Sequence, residues 1–134
     1  MKILLAIVLC IALGSLACAS SQKNELTIEI MAENTRFAPD TIEIPAGKAV
    51  TLTLKNRDST EHDLEVRGLV PSSMSGGGHE DHMDMAATKR VAVHTAAKKS
   101  ASVQFRADQK GTYEVFCSIP GHEQSGMVAK LVVI

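Results

Sequence analysis

A chain of 134 residues with 45% hydrophobic content is long enough for one domain with a real core and leaves no room for a second. Its 14 Lys and Arg stand against 15 Asp and Glu, a formal net charge of −1, so it offers no basic field to attract nucleic acid. Lys2, the apolar run Ile3 to Leu13 and the small residues of G-S-L-A-C-A-S form the three regions of an export signal. The run is short for a bilayer span. Two processing routes are open: cleavage after Ala19 at Ala17-Cys18-Ala19, or cleavage before Cys18 with acylation of its thiol, as L-A-C-A-S-S-Q would direct. Residues 1–19 are therefore set apart from the fold, 20–25 read as a short tether, and 26–134 as the domain. The protein is expected in the periplasm or at the outer cell surface, with a lipid on Cys18 as its sole means of membrane attachment.

The domain reads as strands nearly throughout. E-L-T-I-E-I alternates with Leu26, Ile28 and Ile30 on one face, and A-V-T-L-T-L-K does so with Val50, Leu52 and Leu54, the pattern of half-buried antiparallel strands. Further strands are predicted at 41–44, 62–66, 89–95, 101–106, 112–117 and 127–134. Pro39, Pro45-Ala46-Gly47, Asn56-Arg57-Asp58 and Asp108 to Gly111 punctuate them as turns. About eight short strands without a helical period predict an all-β sandwich or barrel.

The cysteines narrow the chemistry. Cys10 lies in the signal and Cys18 is removed or lipidated, which leaves Cys117 without an intramolecular partner in an oxidising compartment. It is a buried inert thiol, half of a disulfide to another chain, or a thiolate held by a metal ion. Strand alternation turns His62 inward with Leu64 and Val66, as a core histidine or as a ligand, and places Cys117 on the face of Tyr113 and Val115. Pro120-Gly121 then turns the chain back just before His122, and Met127 opens the last strand, as core filler or as a fourth donor. Taken together, two imidazoles, a thiolate and a weak thioether are the donors of a blue-copper site.

F-A-P-D-T-I-E-I-P-A-G-K-A-V-T-L-T-L-K-N, then H-D-L, then Y-E-V-F-C-S-I-P-G-H-E-Q-S-G-M-V-A-K-L-V-V resemble a cupredoxin over residues 26–134, apart from a middle insert. The C-x4-H-x4-M spacing is closer to rusticyanins and auracyanins than to plastocyanins. The resemblance implies a Greek-key β-sandwich with one type 1 copper at one end. His62, Cys117, His122 and Met127 would hold it, and the ring edge of His122 would be the route for electrons. It also implies a monomeric one-electron carrier, not an enzyme, that serves redox partners such as cytochromes or oxidases. No His-x-His pair of the kind that builds a trinuclear copper centre occurs in the chain. One departure stands out: Glu61 precedes His62, where the family often has an Asn that ties the two ligand loops together.

The insert, residues 71–87, opens as a Ser/Gly linker and then crowds His79, His82, Met83 and Met85 together. It is expected to be a flexible solvated loop, and its His and Met residues are candidates for a second, weak copper site. That feature motivates the alternative of a copper-handling protein that buffers or delivers the metal. His94 faces away from Val91 and Val93 and is expected to be an exposed surface histidine.

Overall fold

The computed structural model describes residues 25–76 and 89–134. The segment carrying the expected export signal and most of the tether lies outside them, as do His79, His82, Met83 and Met85. Within the described residues the chain forms β1 (Leu26–Ala32), β2 (Phe37–Ala38), β3 (Thr41–Ile44), β4 (Ala49–Asn56), β5 (His62–Arg67), β6 (Ser73–Gly76), β7 (Ala92–Thr95), β8 (Ser100–Arg106), β9 (Gly111–Phe116) and β10 (Val128–Val133). There is no helix among them. The all-β sandwich read from the alternating pattern is thus the observed fold.

The strands build two five-stranded sheets, ordered β2-β1-β4-β8-β6 and β3-β10-β9-β5-β7. Each sheet turns its apolar face inward. Ile30, Leu52, Leu54, Val103 and Phe105 from the first meet Ile44, Leu64, Val115, Leu131 and Val133 from the second, all at most 2% exposed. Alternation in β4 is complete, with Val50, Leu52, Leu54 and Asn56 buried and the residues between them half-exposed.

Three expectations are corrected. β1 was expected to be an antiparallel strand, yet it runs parallel to β4, with Leu26 opposite Val50 and Ala32 opposite Asn56. A period of two sets which face is buried and carries no information about the neighbour's direction. Here the chain leaves β1 through the edge strand β2, crosses to β3 in the other sheet and returns as β4. Second, the start of the insert is a strand: Ser73–Gly76 pairs antiparallel with β8 at the sheet edge, Met74 opposite Phe105. Backbone pairing carries this strand, since Met74 is its sole large apolar residue and S-M-S-G has no hydrophobic pattern to read. Third, His94 is not an exposed histidine. It sits opposite Asp63 across the β5–β7 pair, and its side chain is 14% exposed.

One end of the sandwich gathers the start of β5, the end of β9, the start of β10 and the 117–127 connection. Cys117 backbone N–H donates to the Met127 carbonyl at 3.2 Å, closing that connection where β9 and β10 separate.

Candidate metal centre

His62, first in β5, is fully buried, and Cys117, just past β9, is 1% exposed. His122 on the connecting loop is half-buried. One donor atom from each lies within 4.8 Å of the others. The Nδ1 atoms of the two histidines are 3.3 Å apart, and His122 Nδ1 is 3.3 Å from Cys117 Sγ. The rings are tilted at 54° with centroids 5.0 Å apart. Alternation turned His62 and Cys117 inward, and the connecting loop brings His122 to them.

The loop supplies this convergence through its own backbone. Gly121 and Gly126 adopt φ of 86° and 90°, which side-chain-bearing residues rarely tolerate. These turns let His122 N–H reach the Ile119 carbonyl at 3.1 Å, Gly126 N–H that of Glu123 at 2.9 Å, and Met127 N–H that of His122 at 3.0 Å. Met127 is fully buried, and its main chain bonds to both Cys117 and His122. Two arginines brace the outside. Arg36 Nη1 donates to the Gly126 carbonyl at 3.0 Å. Arg67 lies 4.0 Å over the Phe116 ring and pairs with Glu114 and, at 3.0 Å, with Glu123.

On the sheet side the partners come from Asp63 and Asp58. Asp63 N–H points to Cys117 Sγ at 3.4 Å. The Asp63 carboxylate accepts from Ser118 Oγ at 2.7 Å and meets His94 Nδ1 at 2.6 Å. The tie between the two ligand segments therefore comes from the residue after His62. Glu61, where the family comparison looked for it, has a side chain 63% exposed. Behind His62, Nε2 lies 2.8 Å from Asp58 Oδ2. A carboxylate accepts only, so Nε2 carries a proton, and Nδ1 is the ring nitrogen turned towards His122.

The ionisation preferences follow from these contacts. Burial pushes the Cys117 thiol up from its ordinary value, against the opposing pull of the Asp63 and Ile119 amides. Burial alone would also raise the Asp58 carboxyl, but the Thr35 and Asn34 amides and the His62 ring together hold it below the usual aspartate value. A thiolate buried here is costly until a cation compensates it, and a bound metal does so directly. The donor set of two imidazoles and a thiol, already converged and largely shielded from water, fits copper.

Asp58, Asp63, Ser118 and Arg36 were not singled out from sequence. Asp58 lies four residues before His62 in Asn56-Arg57-Asp58, which the sequence marks as a turn and nothing more. A carboxylate spaced so from a candidate ligand was the available signal.

The chain is also similar to known proteins in sequence and in fold. A cupredoxin-like domain model matches residues 3–133. The copper-resistant cuproprotein CopI of Rubrivivax gelatinosus is 32% identical over 108 residues, covering 78% of this chain and 63% of CopI, so the match spans under two thirds of that relative. Auracyanin-A of Chloroflexus aurantiacus is 27% identical over 126 residues, covering 84% of this chain and 77% of auracyanin-A. Among solved structures, auracyanin B superposes with a TM-score of 0.62 at 22% identity, over 84% of this chain and 90% of that one. The shared sandwich, the matched family model and the converged His-Cys-His cluster place the chain in the cupredoxin-like family, whose cofactor is copper.

Proposed function

We propose that the protein is an extracytoplasmic one-electron carrier in which His62, Cys117, His122 and Met127 hold a single type 1 copper. The observation that carries this reading is that one donor atom each from His62, Cys117 and His122 lies within 4.8 Å of the others, with His122 Nδ1 3.3 Å from both His62 Nδ1 and Cys117 Sγ, where strand β5 meets a self-bonded loop. Copper, when bound, supplies the one-electron Cu(II)/Cu(I) couple. The protein's part is to keep the donors in one arrangement that suits both states, so that little rearranges on electron transfer. His62 and Cys117 are sealed from water, while His122 meets Thr60, Glu61, Ala96, Ala97 and Ile119 at the surface, where a cytochrome or oxidase would dock. The role we read is transfer rather than catalysis, in keeping with the cupredoxin-like family. Residues 1–19 direct export, with Cys18 the candidate lipid anchor.

Cys117→Ser tests the assignment. It should abolish the thiolate-to-Cu(II) visible band and electron transfer while leaving the far-UV spectrum of a folded β protein; a variant that keeps the band would refute it.

A second reading, copper buffering or delivery, is favoured by the likeness to a copper-resistance protein and by His79, His82, Met83 and Met85 in the insert. Copper exchange separates the two. A carrier retains its metal through many redox cycles in the presence of a chelating acceptor, whereas a delivery protein surrenders it. If the sequence expectation of a solvated loop is right, replacing residues 77–87 by a short Gly/Ser turn should leave the visible spectrum unchanged, because loop length enters the folding entropy only logarithmically. A fall in bound copper under excess metal in that variant would support the second reading.

A further inference from the structure

We propose that Asp58 is a positioning residue for the metal centre, whose carboxylate on His62 Nε2 fixes the ring's tautomer and biases the site towards the oxidised metal. The inference rests on the copper reading above and adds a residue outside the donor set.

The carboxylate is fully engaged. Oδ2 accepts from His62 Nε2–H at 2.8 Å and from the Thr35 amide at 3.1 Å, and Oδ1 accepts from the Asn34 amide at 2.9 Å. The turn that carries it is fixed as well. Asp58 N–H donates to Asn56 Oδ1 at 2.8 Å, and buried Asn56 donates through Nδ2 to the carbonyls of Thr60, Ala96 and Thr95. Lys98 N–H donates to the Asp58 carbonyl at 3.2 Å.

Backbone conformation points the same way. Asn34 and Thr35 have φ of 55° and 54°, and a β-branched residue in that region is a true outlier. Their unusual geometry is what aims two successive amides at one carboxylate. The array thus spends strain on presenting a negative group to the hidden edge of His62. An aspartate needed only to close a turn would have no reason to meet a fully buried imidazole.

Two consequences follow. With Nε2 held as the donor, Nδ1 is available to a metal before any metal arrives, so the ring need not change tautomer on binding. A charge-assisted hydrogen bond also gives the imidazole anionic character, which makes it a stronger donor. Cu(II) carries one more positive charge than Cu(I), so a carboxylate behind one of its ligands favours the oxidised state and lowers the reduction potential.

Full-length protein carrying Asp58→Asn or Asp58→Ala provides the test. Asparagine keeps an acceptor for Nε2–H but removes the charge; alanine removes both. The Cu(II) visible band should persist in each, which separates failure of this inference from failure of the copper reading. At fixed applied potential the Cu(II):Cu(I) ratio should fall about tenfold in Asp58→Ala, a rise of about 59 mV, and by less in Asp58→Asn. Cu(II) affinity should drop about 10- to 100-fold in Asp58→Ala, with Cu(I) affinity less affected. In metal-free protein, imidazole 15N shifts should show His62 protonated at Nε2 in the wild type and mixed in Asp58→Ala. A lower melting temperature with potential, Cu(II) affinity and tautomer all at wild-type values would overturn the inference and leave Asp58 as a brace for the turn.

Discussion

The two halves of the metal centre are held in different ways. His62 sits on a strand, paired opposite Thr95, sealed from solvent and backed by the Asp58 side chain. His122 sits on a loop, half-exposed, and is held by main-chain bonds made possible by Gly121 and Gly126. The sheet half owes its rigidity to long-range contacts that also stabilise the fold, whereas the loop half is rigid locally and can meet the surface without costing the core. An electron carrier needs both properties, a centre that does not relax and one edge that a partner can reach.

Exchanging the two imidazoles for alanine separates the halves most sharply. His62→Ala should abolish the visible band and cost about 2–5 kcal/mol of stability, as other large-to-small core changes do, because it opens a sealed cavity and strips Asp58 of a partner. His122→Ala should also abolish the band but cost only about 0.5–1 kcal/mol. Added imidazole should restore the band in His122→Ala, whose gap opens to solvent, and not in the enclosed gap of His62→Ala. Equal rescue of both, read by visible absorption, would erase the distinction.

The loop half should fail at its glycines. Gly126 has φ of 90°, and a Cβ there would collide with Arg36 Nη1, the group that donates to the Gly126 carbonyl. Arg36 can swing aside, but the backbone strain remains, so Gly126→Ala should cost about 1–3 kcal/mol in thermal unfolding. A melting temperature at the wild-type value would mean that the loop is not held as described.

These differences mark what was legible in the chain. Alternation gave both sheets' inward faces, and the spacing of Cys117, His122 and Met127 is enough to propose one site, because period and spacing are local properties. The parallel pairing of β1 with β4 was not legible, since alternation is blind to strand direction. The short edge strand Ser73–Gly76 was missed because backbone hydrogen bonds, and not side chains, hold it. Asp58 lies four residues from His62 and was hidden only because its turn reads as punctuation, whereas Asp63 at Ser118 and His94 at Asp63 are contacts that exist only once the two ligand segments and the edge strand are assembled. For the same reason the tie between the ligand segments was sought at Glu61, one position before His62, and found at Asp63, one position after.

A smaller effect belongs to the sheet half alone. The Asp58 carboxyl is depressed in the folded protein, so it takes up its proton less readily there than in the unfolded chain. Its contribution to stability is complete above the ordinary aspartate value of 3.8 and is lost as the pH falls through the lower folded value. Denaturation of the metal-free protein as a function of pH should show this acid loss, and Asp58→Asn should flatten it. An unchanged acid limb would place the acid sensitivity elsewhere.

Smallest in structural cost is the change at Met127. Met and Leu are nearly matched in volume, so Met127→Leu should cost less than about 1.5 kcal/mol. As a weak thioether donor to bound copper, Met127 would support Cu(II) more than a hydrocarbon does, so its loss should raise the reduction potential, while Met127→Gln should lower it. Voltammetry giving unchanged or reversed potentials would make Met127 core packing beside the metal.

The visible absorption spectrum of the copper-loaded wild-type protein bears most directly on the central claim, that His62 Nδ1, His122 Nδ1 and Cys117 Sγ converge to hold one type 1 copper. One equivalent of Cu(II) should produce an intense thiolate-to-copper charge-transfer band that bleaches on one-electron reduction and returns on reoxidation. Saturation with Cu(II) that yields only the weak absorption of a nitrogen- and oxygen-ligated ion would contradict it.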